Sequence, residues 1–120
     1  MSEDNTPTPK KKFQPFTITD EELKALDEEH GDVLKLHGSE AAPWMVVLRR
    51  PTRQEIIGYK HGIKKESFAA NEDLIKRICV FPTKDDFAAQ LARWPIFVDG
   101  IADSRDFKEF IGFTVDADLK

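Results

Sequence analysis

"VLRRPTRQEIIGY", residues 47–59, decides the fold, because a strand-like run gives way there to a helix across two arginines and a proline. Pro51 has no N–H to offer a sheet ladder. Thr52 and Glu55 stand at the spacing of a capping box, in which each side chain satisfies the other residue's backbone N–H. A helix is therefore expected from about Arg53. Ile56, Tyr59 and Ile63 recur at i, i+3 and i+7 and mark its inward face, while Arg53, Lys60 and Lys64 mark a basic outer face. Gly58 and Gly62 each cost roughly 1 kcal/mol against alanine inside a helix. Either the helix stops near His61 or the glycines admit a close neighbour, and the early stop is the expectation. Of the paired arginines, one is expected to anchor the hinge and the other to face outwards.

Upstream, "PWMVVLRR" is rich in β formers and "DVLKLHG" alternates Val33, Lys35 and His37 against Leu34 and Leu36, with the turn-like "GSEAAP" between them. Two antiparallel strands follow from this, the second better buried because it is more apolar. Before them, "TITDEELKALDEEHG" supplies Thr19 as N-cap, Glu22 as its capping-box partner and Gly31 as a stop. Only Leu23 and Leu26 give that helix an apolar stripe, so it is expected on the surface. Residues 1–16, with prolines, small polar residues and the Lys10-Lys11-Lys12 run, read as a flexible arm.

Downstream, "NEDLIKRICVF" offers Asn71 as a cap and Leu74, Ile75, Ile78 and Cys79 as one apolar face, the pattern of a central buried helix. "PTKDDFAAQLARW" begins another helix at Pro82 and Thr83, with Asp85 and Asp86 in the first turn, where they suit the helix dipole. Phe87, Leu91 and Trp94 share a stripe, and Pro95 closes it. "IFVDGIADSRDFKEFIGF" reads as helical pieces interrupted by Gly100 and Gly112, with Phe97, Ile101, Phe107, Phe110 and Ile111 as apolar points. Residues 114–120 form a loose tail. The chain has 120 residues and 40% hydrophobic content, enough for one modest core. The expected architecture is one helix-dominated α+β domain over residues 17–113, a small N-terminal β-hairpin packed with four to five short α-helices.

The net charge of −4 gives no global attraction to nucleic acid or to an anionic membrane. Cys79 is the single cysteine, which excludes an internal disulfide, and neither a signal segment nor a long apolar span is present. The cytosol is the expected site of folding. His30, His37 and His61 lack the short spacing of a zinc site. No nucleophile elbow, phosphate loop, dinucleotide fingerprint or HExxH motif occurs, so no catalytic residue, cofactor or metal ligand is expected. These absences favour a protein that binds another protein.

Charge is laid out in blocks: net −5 over residues 17–31, +4 over 49–66 and −4 over 99–118. That layout suggests self-association or an acidic protein partner. A nucleic-acid footprint would interleave aromatics with the bases, and Tyr59 alone lies there, on the apolar side. Trp94, Phe97, Phe107, Phe110 and Phe113 crowd into the last quarter of the chain. Phe110, Ile111 and Phe113 cannot share one helix face, which leaves apolar surface for a partner.

An apolar strand followed by "RRPTRQE", and then "LIKRICVFPTKDDFAAQLARWP", resembles the tail assembly chaperones of long-tailed bacteriophages. In that family a strand ending in Arg-Pro-Thr leads into a helix, a second helix ends in a "CVVYP"-like run, and a Trp-Pro or Arg-Pro pair closes a third. The matching positions are Arg49, Arg50, Pro51, Thr52 and Glu55, then Cys79, Val80, Phe81 and Pro82, then Trp94 and Pro95, within residues 45–96. The resemblance implies a non-enzymatic factor in the host cytoplasm that binds the tape measure protein before the tail tube protein polymerises around it. On that hypothesis Trp94, Phe97, Phe107, Phe110 and Phe113 hold an amphipathic client helix, and Arg53, Lys60 and Lys64 match its charge. Serine at Phe107 and Phe110 should then remove the client and spare the fold. Two rivals are a structural tail or neck subunit of the virion and a small nucleic-acid-binding regulator using the +4 interval.

Overall fold

The computed structural model describes residues 17–112; the expected arm at 1–16, Phe113 and the tail at 114–120 lie outside the described residues. Helix α1 (Asp20–His30) starts and stops where its local signals say. The Thr19 hydroxyl accepts from the Glu22 N–H at 3.1 Å, and the Glu22 carboxylate accepts from the Thr19 N–H at 3.0 Å. Gly31 ends the helix at φ 92°, a left-handed backbone that glycine adopts without strain. No α1 residue is buried, in keeping with a surface helix.

Strands β1 (Val33–His37) and β2 (Met45–Arg49) pair antiparallel, with Leu34 opposite Leu48 and Leu36 opposite Val46. Their connection demands glycine at position 38, because a Cβ there would overlap the Ala42 carbonyl oxygen and meet the Trp44 indole. The hairpin is not the whole sheet. Cys79–Phe81, expected as the end of a helix, is a third strand, β3, antiparallel to β2 and giving the order β1-β2-β3. Extended pairing wins because β2 otherwise leaves one row of N–H and C=O groups without partners. As the middle strand, β2 has Val46, Val47 and Leu48 all fully buried, the burial on both faces that central strands require. The register slips between Val47 and Leu48, and β3 leaves the sheet through the cis Phe81–Pro82 bond.

Among the described residues six helices accompany the sheet, where four or five are expected from sequence. Helix α2 (Arg53–Lys65) has the expected capping box at Thr52 and Glu55 but runs past both glycines, so the early stop near His61 is overturned. Glu66 alone, in an extended conformation, links it to α3 (Ser67–Ile78). Helix α3 begins four residues before Asn71, which is therefore no cap; its side chain instead accepts from the Tyr59 hydroxyl at 2.6 Å. Leu74, Ile75 and Ile78 are buried as expected. Thr83 caps α4 (Lys84–Arg93), and Ser104, not Gly100, breaks the last segment into α5 (Phe97–Asp103) and α6 (Arg105–Phe110).

One core joins these parts. Val46 and Leu48 of β2, Leu74, Ile75 and Ile78 of α3, Phe87 of α4, Phe97, Val98 and Ile101 of α5, and Phe107 and Phe110 of α6 form a single buried cluster. Rings of Trp44 and Phe87 lie 5.2 and 5.4 Å from that of Phe97, both tilted, a favoured aromatic geometry. Gln90 of α4 is a fully buried polar residue. Its Nε2 donates to the Met45 carbonyl at 3.1 Å and its Oε1 accepts from the Met45 N–H at 2.9 Å. Met45 stands two residues before Val47, the partner of Phe81, so the Gln90 amide takes up the edge of β2 beyond the end of β3.

Candidate functional site

Of the paired arginines, Arg49 is the sheltered anchor of the hinge and Arg50, its side chain 53% exposed, is the one that faces outwards, although both are bonded into the fold. Arg49 Nη1 and Nη2 donate to the two carboxylate oxygens of Glu55 at 2.9 and 2.8 Å, and Nη2 also reaches the Arg77 carbonyl at 3.1 Å. Glu55 accepts the Thr52 N–H at 2.9 Å with the same Oε1. A single carboxylate thus closes the capping box and ties β2 to α2. The Arg49 guanidinium hydrogen-bonded to it, aided by the Thr52 N–H, holds the Glu55 pKa down at about 2. Arg50 donates to Asp32 Oδ2 at 3.0 and 2.7 Å and to the Phe110 carbonyl, with its guanidinium 4.6 Å from the Phe110 ring centre. It bridges the turn before β1 to the end of α6.

Beside this hinge, α2 and α3 enclose an open groove of about 410 Å³. Thr52, Gln54, Gly58 and Gly62 line it from the α2 side, and Ala70, Asp73, Leu74 and Arg77 from α3. The glycines differ in role. A Cβ on Gly62 would stand 3.3 Å from the Ala70 Cβ, so this glycine lets α3 come close, whereas one on Gly58 would meet nothing within 4 Å. Asp73 and Arg77 pair at 2.9 Å across one turn of α3, and Tyr59, whose pKa burial pushes up, bonds Asn71. The groove was legible only through the alternative reading of Gly58 and Gly62 as room for a neighbour. Nothing in the sequence placed Ala70, Asp73 or Arg77 opposite them.

Arg53, Lys60 and Lys64 do lie exposed on the outer side of α2, as the periodicity requires, together with Ile57, which is 44% exposed. The aromatic surface fares otherwise. Phe97, Phe107 and Phe110 are 3%, 1% and 8% exposed, and Trp94 packs half-buried against the same core. The three phenylalanines offer no free face, and serine at Phe107 and Phe110 would empty the core rather than spare the fold. The rings turn inwards because α5 and α6 are too short to bury anything except against the sheet and α3. Exposed apolar surface is found instead at Ile57, at Phe68, 62% exposed, and at Ile96, 73% exposed.

With that geometry in place, a structural counterpart can be set beside it. This chain shares its fold with an uncharacterised protein of Bacillus stearothermophilus, at a TM-score of 0.66 and 17% identity, over 82% of this chain and 99% of that chain. At that identity the likeness is one of fold alone. No family model and no curated protein matches the chain.

Among the described residues no group of three or more His, Cys, Asp or Glu side chains is placed to hold a metal ion, and no helix is long and apolar enough to cross a membrane. Cys79 sits on β3, not on a helix face. Burial pushes its thiol pKa up to about 11, and Sγ donates to the Phe81 carbonyl at 3.1 Å, so the neutral thiol persists at pH 7.

Proposed function

We propose that this protein is a non-enzymatic tail assembly chaperone of a long-tailed bacteriophage, acting in the host cytoplasm and holding a helical segment of the tape measure protein in the α2–α3 groove. The observation that carries the reading is that the groove opens beside the strand-to-helix hinge on which the family resemblance rests: Thr52 and Glu55 both line it. Of the other motif segments, Cys79–Phe81 pairs with β2, the strand that leads into the hinge, and Trp94 packs against the core. An amphipathic helix laid in a groove needs small residues where backbones approach and charged groups at the rim to fix register. Gly58, Gly62 and Ala70 serve the first need, Asp73 and Arg77 the second.

Gly58 gives the test, since a Cβ there meets nothing within 4 Å and a larger side chain extends from it into the groove. Co-expression with a phage tape measure protein should yield a co-purifying complex for the natural chain and none for Gly58→Trp, both folded by circular dichroism. A complex undiminished by Gly58→Trp would move the client elsewhere. A natural chain that retains no tape measure segment would end the chaperone reading.

A further inference from the structure

The side of α2 that faces away from the groove is a second surface with its own chemistry. Arg53, Ile57, Lys60 and Lys64 stand in one exposed stripe at i, i+4, i+7 and i+11, with His61 and Lys65 exposed on its flanks. Among the described residues none of Arg53, Lys60, Lys64 and Lys65 enters an ion pair, although five other bases of the chain do so at 3.1 Å or less. A stripe of unpaired cations around a half-exposed isoleucine fits an acidic helix with a small apolar residue at its centre.

This chain carries such a helix. α1 holds six acids against one lysine over eleven residues, and none of its side chains is buried. Lys24 turns with Asp27 into the groove between α1 and β1, which leaves Glu21, Ala25 and Glu28 exposed on the outer side. Their spacing, i, i+4, i+7, is that of Arg53, Ile57 and Lys60, with opposite charge at both ends and an apolar residue between. The helices match in length as well, eleven residues against thirteen. Within one chain α1 is engaged with β1.

We propose that the outer face of α2 docks the acidic helix α1 of a second copy of this chain, Glu21 and Glu28 meeting Arg53 and Lys60 about Ala25 and Ile57. Such contact joins different surfaces on the two copies, so it is head-to-tail and extends into a ring or a filament rather than stopping at a twofold dimer. It does not depend on what the α2–α3 groove binds, because it uses the opposite side of α2.

Sedimentation velocity of the full chain tests it. The chain should associate at about 20 mM salt and weaken at least tenfold at about 0.5 M, where the Debye length falls to a few ångströms. The variants E21K/E28K and R53E/K60E, changed only at exposed positions, should each be monomeric alone. Mixed together they should associate again, since every contact in the mixture joins opposite charges; that recovery also shows both variants to be folded. A natural chain that stays monomeric at about 100 μM and low salt, a range in which even weak contacts register, overturns the proposal. So does association that survives either reversal, or variants that fail to recover on mixing.

Discussion

Glu55 concentrates three tasks in one carboxylate: it closes the α2 capping box, receives both Nη atoms of Arg49, and lines the groove. Its side chain is 17% exposed and that of Arg49 25%, so this pair is sheltered where most of the other ion pairs are open. The carboxyl pKa falls from 4.5 to about 2 on folding, chiefly through the Arg49 hydrogen bonds. A lowered folded pKa means that the unfolded chain binds more protons between those values. The stability it contributes is therefore complete above about 4.5 and is lost as pH drops towards 2. Glu55→Gln should be less stable than the natural chain at pH 7, yet lose less on acidification. Urea unfolding midpoints at about pH 6, 4 and 2.5 measure this window, and parallel curves for the two proteins would refute the assignment. The capping role was legible from Thr52 and Glu55 alone, since it spans three residues. The Arg49 bond was not, because it needs the turn geometry that the capping box itself creates.

Among the elements, the threonine-capped helix starts and the Gly31 stop of α1 were readable, while the start of α3 and the ends of α2 and α3 were not, for the same reason of range. Thr19, Thr52 and Thr83 each accept an N–H three residues on, a contact written in local sequence. The end of α3 depends on β2: Cys79, Val80 and Phe81 continue an apolar run that suits either a helix face or a strand, and only the unpaired edge of β2 chooses. The passage of α2 through two glycines is likewise a tertiary matter, and it separates them. At Gly58 alanine removes backbone freedom from the unfolded chain and meets nothing, so Gly58→Ala should stabilise by about 0.5–1 kcal/mol. At Gly62 the same change gains the same propensity but presses on Ala70 at 3.3 Å, so α3 must shift and the gain should shrink or reverse. Thermal melts of the two single variants compare them directly. Equal gains would mean that α2 and α3 are not held together at Gly62.

For the whole molecule the decisive fact is where the phenylalanines of the described residues go, since composition alone does not say which of Phe68 and Phe107 is buried. Each sits near the start of a helix, yet Phe68 is 62% exposed and Phe107 1%. The difference arises from assembly: Ser104 turns the chain, the Phe107 N–H donates to its hydroxyl at 3.0 Å, and α6 is folded back so that Phe107 and Phe110 enter the core. Arg50 fastens that return by bonding the Phe110 carbonyl and Asp32 together. The α+β class and its helical weight could be read from pattern; the inward turn of the C-terminal aromatics could not, because two short helices take their facing from what they pack on. Removing a buried phenylalanine side chain costs about 3–5 kcal/mol, a large share of the roughly 5–15 kcal/mol that holds a domain of this size. Phe107→Ser should therefore shift the urea midpoint strongly downward or leave the chain unfolded at 37 °C, whereas Phe68→Ser should stay within about 0.5 kcal/mol of the natural protein. Comparable losses at the two sites would mean that α3 buries Phe68 in an assembled form. A small loss at Phe107 would mean that α6 does not close this core.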